Sequence, residues 1–238
     1  MIFFFTLLIT LNLFIFFNLK KISKIINIYD VPDKKLKLYK KKIAIMGGMI
    51  LAINFISLFI YQIFFLGDIF SIRLEQLSFI EIILSFIIIF GYFFLGLYDD
   101  KFNLTPNTKI FFSIMITLMV IFFNDSLTIK MLSISFYENK VFLENYSYFF
   151  TIFCILILVN ALNFYDGING QSCLIFIISF FYLLLKSESH YFYFFCLIFI
   201  LFVFLLNINN KIFLGDGGIY LLSIILSLSL IYEHNIQN

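Results

Sequence analysis

Apolar runs of roughly 17–25 residues, the length that crosses a bilayer as a helix, alternate along the chain with short polar stretches. Read as helices, they lie at about Ile2–Asn18, Ile43–Leu66, Ser78–Leu97, Thr108–Phe123, Tyr148–Phe164, Ile168–Leu185, Tyr191–Leu206 and Gly218–Tyr232. The first run is not a cleavable signal by pattern, because it lacks a basic leading region and its lysines follow the apolar stretch. Between the fourth and fifth runs, Thr128–Phe136 is followed by Glu138-Asn139-Lys140 and then Val141-Phe142-Leu143. That reads as a small β-hairpin turning at the polar triplet. No repeat or low-complexity linker divides the chain. Residues 1–238 are therefore expected to form one all-α, polytopic integral-membrane domain of about eight transmembrane helices.

Composition strengthens this reading. The chain has 238 residues, 63% of them hydrophobic and only 13% charged, with a mean hydropathy of +1.06. Soluble domains carry about 25% charged residues. A soluble fold of this size has too little interior to hide so much apolar surface. An ordinary soluble enzyme, a disordered chain and a secreted disulfide scaffold are all excluded. Cys154, Cys173 and Cys196 each sit in an apolar run without CxxC spacing and read as small buried hydrophobes. A net charge of +2 gives no reason to expect nucleic acid.

The placement of charge is more informative. The alternate loops Leu19–Lys42, Tyr98–Asn107, Tyr165–Gly167 and Asn207–Gly217 carry nine, two, none and one basic residues, counting Lys109 at the edge of the second. The opposite set carries four: Arg73, Lys130, Lys140 and Lys186. The positive-inside rule puts the first set in the cytoplasm and the hairpin on the outer face. The nine lysines read as a topology determinant, and they would also attract anionic head groups.

Three acidic or amide clusters share that cytoplasmic side. The third run ends in Tyr98-Asp99-Asp100, followed by Leu104-Thr105-Pro106 and Lys109. Adjacent carboxylates at a membrane surface repel unless a cation sits beside them, and Mg²⁺ suits one or two carboxylates plus substrate phosphates. A solvated helix end is the plainer alternative. The fifth run ends in Asn160-Ala161-Leu162-Asn163, then Asp166-Gly167-Ile168-Asn169-Gly170. Asn160 and Asn163 share a helix face, which is costly near lipid unless it lines a cavity; a capped turn is the alternative. Before the last run stands Leu214-Gly215-Asp216-Gly217-Gly218, a carboxylate beside bare backbone amides. A tight turn would also produce it. Transporters carry charge at mid-membrane, whereas here the runs hold almost none apart from Glu81. His190 and His234 fall on the outer side without metal-ligating neighbours in sequence and read as surface residues. The pattern points to chemistry at the cytoplasmic lipid–water interface.

These motifs, in this order, resemble glycosyltransferase family 4, the polyprenyl-phosphate N-acetylhexosamine-1-phosphate transferases. The resemblance includes Asp30-Val31-Pro32-Asp33 with Met46-Gly47-Gly48 as the first cytoplasmic loop, and it runs to about Ser223. It departs where Tyr39, Lys42 and Ala44 replace a histidine and two prolines, at Asn169, and at Gly217-Gly218. Family members continue into further spans and a histidine-bearing loop, so the chain ending at Asn238 is expected to be a fragment or a truncated product, weakly active or inactive.

The resemblance implies a Mg²⁺-dependent transferase, with Mn²⁺ as substitute, in the inner membrane and with its active site on the cytoplasmic face. It would move N-acetylhexosamine 1-phosphate from a UDP-sugar to polyprenyl phosphate, release UMP and start cell-envelope polysaccharide synthesis. It implies Asp216, Asp99 and Asp100 at the metal, Asp99 and Asp100 in catalysis, and Lys109, Asn160, Asn163 and Asp166 at the substrates. A homodimer is the assembly it leaves open. The competing readings are an inactive family member serving as an assembly partner or lipid binder, and a transporter.

Overall fold

The computed structural model describes residues 2–32, 41–65, 79–124, 127–134, 137–167, 169–187 and 190–237. The remainder of the lysine-rich first loop (33–40, with Asp33 and Tyr39) and the 66–78 loop lie outside them. Among the described residues the order is α1 (Ile2–Ile26), β1 (Tyr29–Asp30), β2 (Ile43–Ile45), α2 (Gly47–Phe65), α3 (Phe79–Phe102), α4 (Pro106–Phe123), β3 (Met131–Ile134), β4 (Tyr137–Phe142), α5 (Ser147–Tyr165), α6 (Gln171–Lys186), α7 (His190–Ile208), β5 (Ile212–Phe213) and α8 (Gly215–Gln237).

Among the described residues, five helical segments are long and apolar enough to cross a membrane: Phe4–Ile26, Ile80–Phe102, Glu144–Tyr165, His190–Ile208 and Gly215–Ile236. Gly47–Ile63, Pro106–Phe122 and Gln171–Lys186 are shorter apolar helices. The chain is a helical membrane protein with a few small strands.

Helix α8 is the hub. It packs most extensively against α3 and also against α2 and α5. Ile219 to Leu226 are each at most 4% exposed, so this stretch of α8 faces protein all round rather than lipid. α1 is peripheral. It buries Phe4, Leu8 and Ile15 and leaves Phe14 and Phe17 exposed, as expected of a helix facing lipid on its outer side. A buried amide pair ties it to α2: Asn12 Nδ2 donates to Asn54 Oδ1 at 2.8 Å, and Asn54 Nδ2 donates back at 3.1 Å. Such exchanges associate helices where hiding apolar surface from water no longer does.

Three sequence expectations change. Ile43–Ile45 is not the start of the second span. It is strand β2, paired antiparallel with β1 and parallel with β5. An apolar triplet is ambiguous by itself, and only its distant partners make it a strand. Helices α1, α3 and α8 run past their apolar cores, because lysines or aspartates at a helix end do not stop the backbone ladder. Asp99, Asp100 and Asp216 therefore sit in helical turns rather than in loops. Finally, β3 and β4 pair with Met131 opposite Phe142 and Ile134 opposite Tyr137. Glu138-Asn139-Lys140 thus lies within β4 instead of forming the turn. Residues 135–136, between the strands, are outside the described residues.

Candidate active site

The end of α3, the start of α4 and the start of α8 converge, and the local sequence explains how. α3 ends before Asn103, whose φ of +52° is the left-handed conformation that asparagine tolerates after a helix. Its N–H bonds to Asp99 O at 2.8 Å. Thr105 then caps α4: its hydroxyl meets Thr108 Oγ1 at 2.6 Å and accepts from Thr108 N at 3.4 Å. Pro106, at the first helical position, has no N–H to leave unsatisfied. This tight reversal brings Lys109, on the first turn of α4, back over the end of α3.

Asp99 is 2% exposed. Its Oδ1 accepts from Leu104 N at 2.8 Å, which reinforces the reversal. Its Oδ2 meets the Lys109 ammonium. Lys109 Nζ also reaches Asp216 Oδ2 at 3.5 Å, so one cation bridges carboxylates from α3 and α8. The Asp99 and Asp216 side chains lie against each other.

Asp100 points elsewhere. Its Oδ1 accepts from Asp216 N at 2.8 Å and its Oδ2 from Gly217 N at 3.0 Å. These are orphan donors of the first turn of α8, supplied with an acceptor by another helix. Gly215 precedes them at φ +75°, and a Cβ there would come within 2.7 Å of Asp100 Oδ2. Gly96 on α3 lets the two helices touch, since a Cβ on it would lie 2.5 Å from Asp216 O.

The first loop supports this turn from beneath. β2 pairs with β5, Met46 N donates to Phe213 O at 3.3 Å and Gly48 N to Leu214 O at 2.9 Å. The strand before Asp216 is thereby clamped to the segment before α2.

The α5 end contributes unevenly. Asn160 Nδ2 is spent on Leu156 O of its own helix at 2.7 Å. Asn163 lies beside the Tyr220 hydroxyl. Asp166 Oδ1 accepts from Ser172 Oγ at 2.6 Å. Asp166 is exposed, yet desolvation by the protein packed around its carboxyl raises its pKa, and the Ser172 hydrogen bond pulls the other way. Asp166 lies near enough to exert a field on Asp100.

The structure thus brings Asp99, Asp100, Lys109 and Asp216 together, with Asn163 joined to them through Tyr220. Sequence reasoning missed Tyr220. It lies one helical turn after Asp216, on the same face, is 1% exposed, and its hydroxyl feels Lys109, Asp216 and Asp99. Its ring packs edge-on against Tyr92 at 6.3 Å, and the Tyr92 hydroxyl pairs with the Thr117 hydroxyl at 2.7 Å. The spacing from Asp216 was the available signal, but a tyrosine in an apolar run reads as core.

Among the described residues no three His, Cys, Asp or Glu side chains are gathered closely enough to hold a metal by themselves. Asp99 and Asp216 nevertheless fit a hard cation. They are two carboxylates already held about one positive charge, and Mg²⁺ typically takes one or two carboxylates and completes its shell with substrate phosphates and water.

The model for glycosyl transferase family 4 matches residues 82–234, a stretch that contains all of these side chains. No curated protein matches the chain.

Proposed function

The chain belongs to glycosyl transferase family 4, and from that premise we propose that it transfers N-acetylhexosamine 1-phosphate from a UDP-sugar to a polyprenyl phosphate, with undecaprenyl phosphate as the first acceptor to test. An oxygen of the acceptor phosphate bonds to the sugar-bearing phosphorus. The bond from that phosphorus to the bridging oxygen breaks, and UMP leaves with the electron pair. The product is a lipid diphosphosugar, the starting unit of a cell-envelope polysaccharide such as O-antigen or a wall polymer. The family and the apolar helices make the protein a membrane sugar-phosphate transferase. The basic asymmetry of the loops supports a site on the cytoplasmic face of the plasma membrane.

The observation that carries this reading is the pairing of Asp99 and Asp216, from two different helices, around the Lys109 ammonium. Bound Mg²⁺ would neutralise charge on two phosphates that otherwise repel. Asp216 and Asp99 would hold it, and Lys109 would balance phosphate charge. Asn163, Asp166 and Asn160 would contact the nucleotide. A phosphate's second pKa of about 6 leaves the acceptor largely ionised at pH 7, so Asp99 has little proton abstraction to perform.

The test supplies the purified chain with undecaprenyl phosphate, Mg²⁺ and UDP-N-acetylhexosamines labelled in the sugar. Label should enter a solvent-extractable lipid, return to the nucleotide when UMP is added, and stay in the nucleotide when the metal is chelated. Label that never enters lipid with any donor would overturn the proposal.

A further inference from the structure

Asp99 and Asp100 are neighbours in sequence but about 100° apart around the helix, and they face different partners. Asp99 faces the Lys109 ammonium and the Asp216 side chain. Asp100 faces backbone. Both of its oxygens accept amide protons from the first turn of α8, at 2.8 and 3.0 Å. The α8 turn also fills the space beside them: a Cβ on Gly215 would lie 2.7 and 3.1 Å from the two oxygens, and one on Gly217 would lie 3.4 Å from Oδ2. A carboxylate at a helix N-terminus is further favoured by the aligned peptide dipoles. The amide of Asp216 is itself one of the two donors. Its hydrogen bond fixes the backbone from which the Asp216 side chain projects towards Lys109.

We infer that Asp100 is a positioning residue: it pins the first turn of α8 so that the Asp216 carboxylate faces Asp99, and it supplies no ligand to the cation. This rests on the metal-site reading above. It separates two adjacent acids that sequence pattern treats as equivalent.

The test has two arms. The first needs no metal. Hydrogen exchange at the Asp216 and Gly217 amides should accelerate at least about tenfold in Asp100→Ala, less in Asp100→Asn, which keeps one acceptor oxygen, and not at all in Asp99→Asn. Unchanged protection in Asp100→Ala would overturn the inference.

The second arm replaces Asp99, Asp100 or Asp216 singly by Cys in a chain lacking the native cysteines. It measures direct binding of Cd²⁺ and Mn²⁺ in the presence of UMP. A thiolate ligand favours the softer metal, so Asp216→Cys and Asp99→Cys should shift preference towards Cd²⁺ by more than about tenfold. Loss of an outer partner typically weakens metal affinity by about 10- to 100-fold. Asp100→Cys should therefore weaken both metals alike, and Asp100→Asn should recover part of the loss. A Cd²⁺ preference gained by Asp100→Cys would make Asp100 a ligand and overturn the inference. Absence of metal-dependent UMP binding in the unsubstituted chain would overturn the metal-site reading instead, and the exchange arm would still decide the role of Asp100.

Discussion

The two ends of α8 each carry an acid, half-buried Asp216 at one and buried Glu233 at the other, and the two are treated differently. Near the C-terminal end, Glu233 is 9% exposed, and its Oε1 accepts from the hydroxyls of Ser187 and, at 3.3 Å, Tyr193. Its neighbours are laced to the β3 side: His234 Nε2 meets Met131 O at 2.7 Å and Asn235 Nδ2 donates to Thr128 O at 2.9 Å. Beside this end lies an apolar cavity of about 160 Å³, lined by Phe59, Phe86, Phe90 and Tyr193 among others. At the N-terminal end, Asp99 of α3 and Asp216 share the Lys109 ammonium and lie side by side, and Asp100 accepts from the α8 amides next to them. One acid met by hydroxyl donors is what a satisfied interior looks like. Three neighbouring acids with one ammonium, shared by only two of them, is what folding alone would avoid, because like charges in a poorly solvated place repel. Surplus charge of that kind marks functional sites.

The largest expected effect comes from removing charge at the crowded end. Asp216→Asn and Asp99→Asn should each lower transfer on the order of 100- to 1,000-fold, the scale of losing one preorganised electrostatic group, with the protein still inserted. Near-normal rates in Asp216→Asn would erase the contrast between the ends.

Close backbone contact is the second property of the crowded end. A Cβ on Gly48 would fall 2.4 Å from Gly218 N, against backbone that cannot rotate away. Gly48→Ala should cost about 1–3 kcal/mol of stability, the range for overpacking. Thermal unfolding in detergent checks this, and an unchanged midpoint would show that the α2–α8 contact is softer than described.

Glu233→Leu probes the far end. It removes an acceptor used by two hydroxyls and should cost about 1–3 kcal/mol, while the transfer rate measured below the unfolding midpoint stays within about twofold. A hundredfold loss of rate without unfolding would give the far end a function this account denies it.

The smallest effect sharpens the near end. Tyr220→Phe keeps the ring against Tyr92 and removes only the hydroxyl beside Asn163. About a tenfold loss in transfer is expected, the scale of one hydrogen bond of about 1.4 kcal/mol. Combining it with Asn163→Ala should cost no more than the larger single change, because the two groups act as one unit. Additive losses would separate them.

The helices were legible because long apolar runs need little beyond hydropathy to be read. The strands were less so. Ile43-Ala44-Ile45 reads as membrane until Ile212-Phe213, far along the chain, is seen to pair with it. Within the site, Asp99, Lys109 and Asp216 stood out as charges in an apolar chain. The Asp99–Asp100 pair could not be divided from sequence, because which acid meets Lys109 and which meets the α8 amides depends on how α3 is rotated against α8. Tyr220 was hidden by its own chemistry, since a phenol serves equally as core and as a polar handle.

The most direct measurement is exchange of labelled UMP into unlabelled UDP-N-acetylhexosamine by the purified chain. Exchange requires the lipid diphosphosugar to form and revert. Label should appear in the UDP-sugar only when undecaprenyl phosphate and Mg²⁺ are both present, and should be lost in Asp216→Asn. Exchange that persists in Asp216→Asn or after metal chelation would contradict the central claim, as would no exchange with any UDP-N-acetylhexosamine.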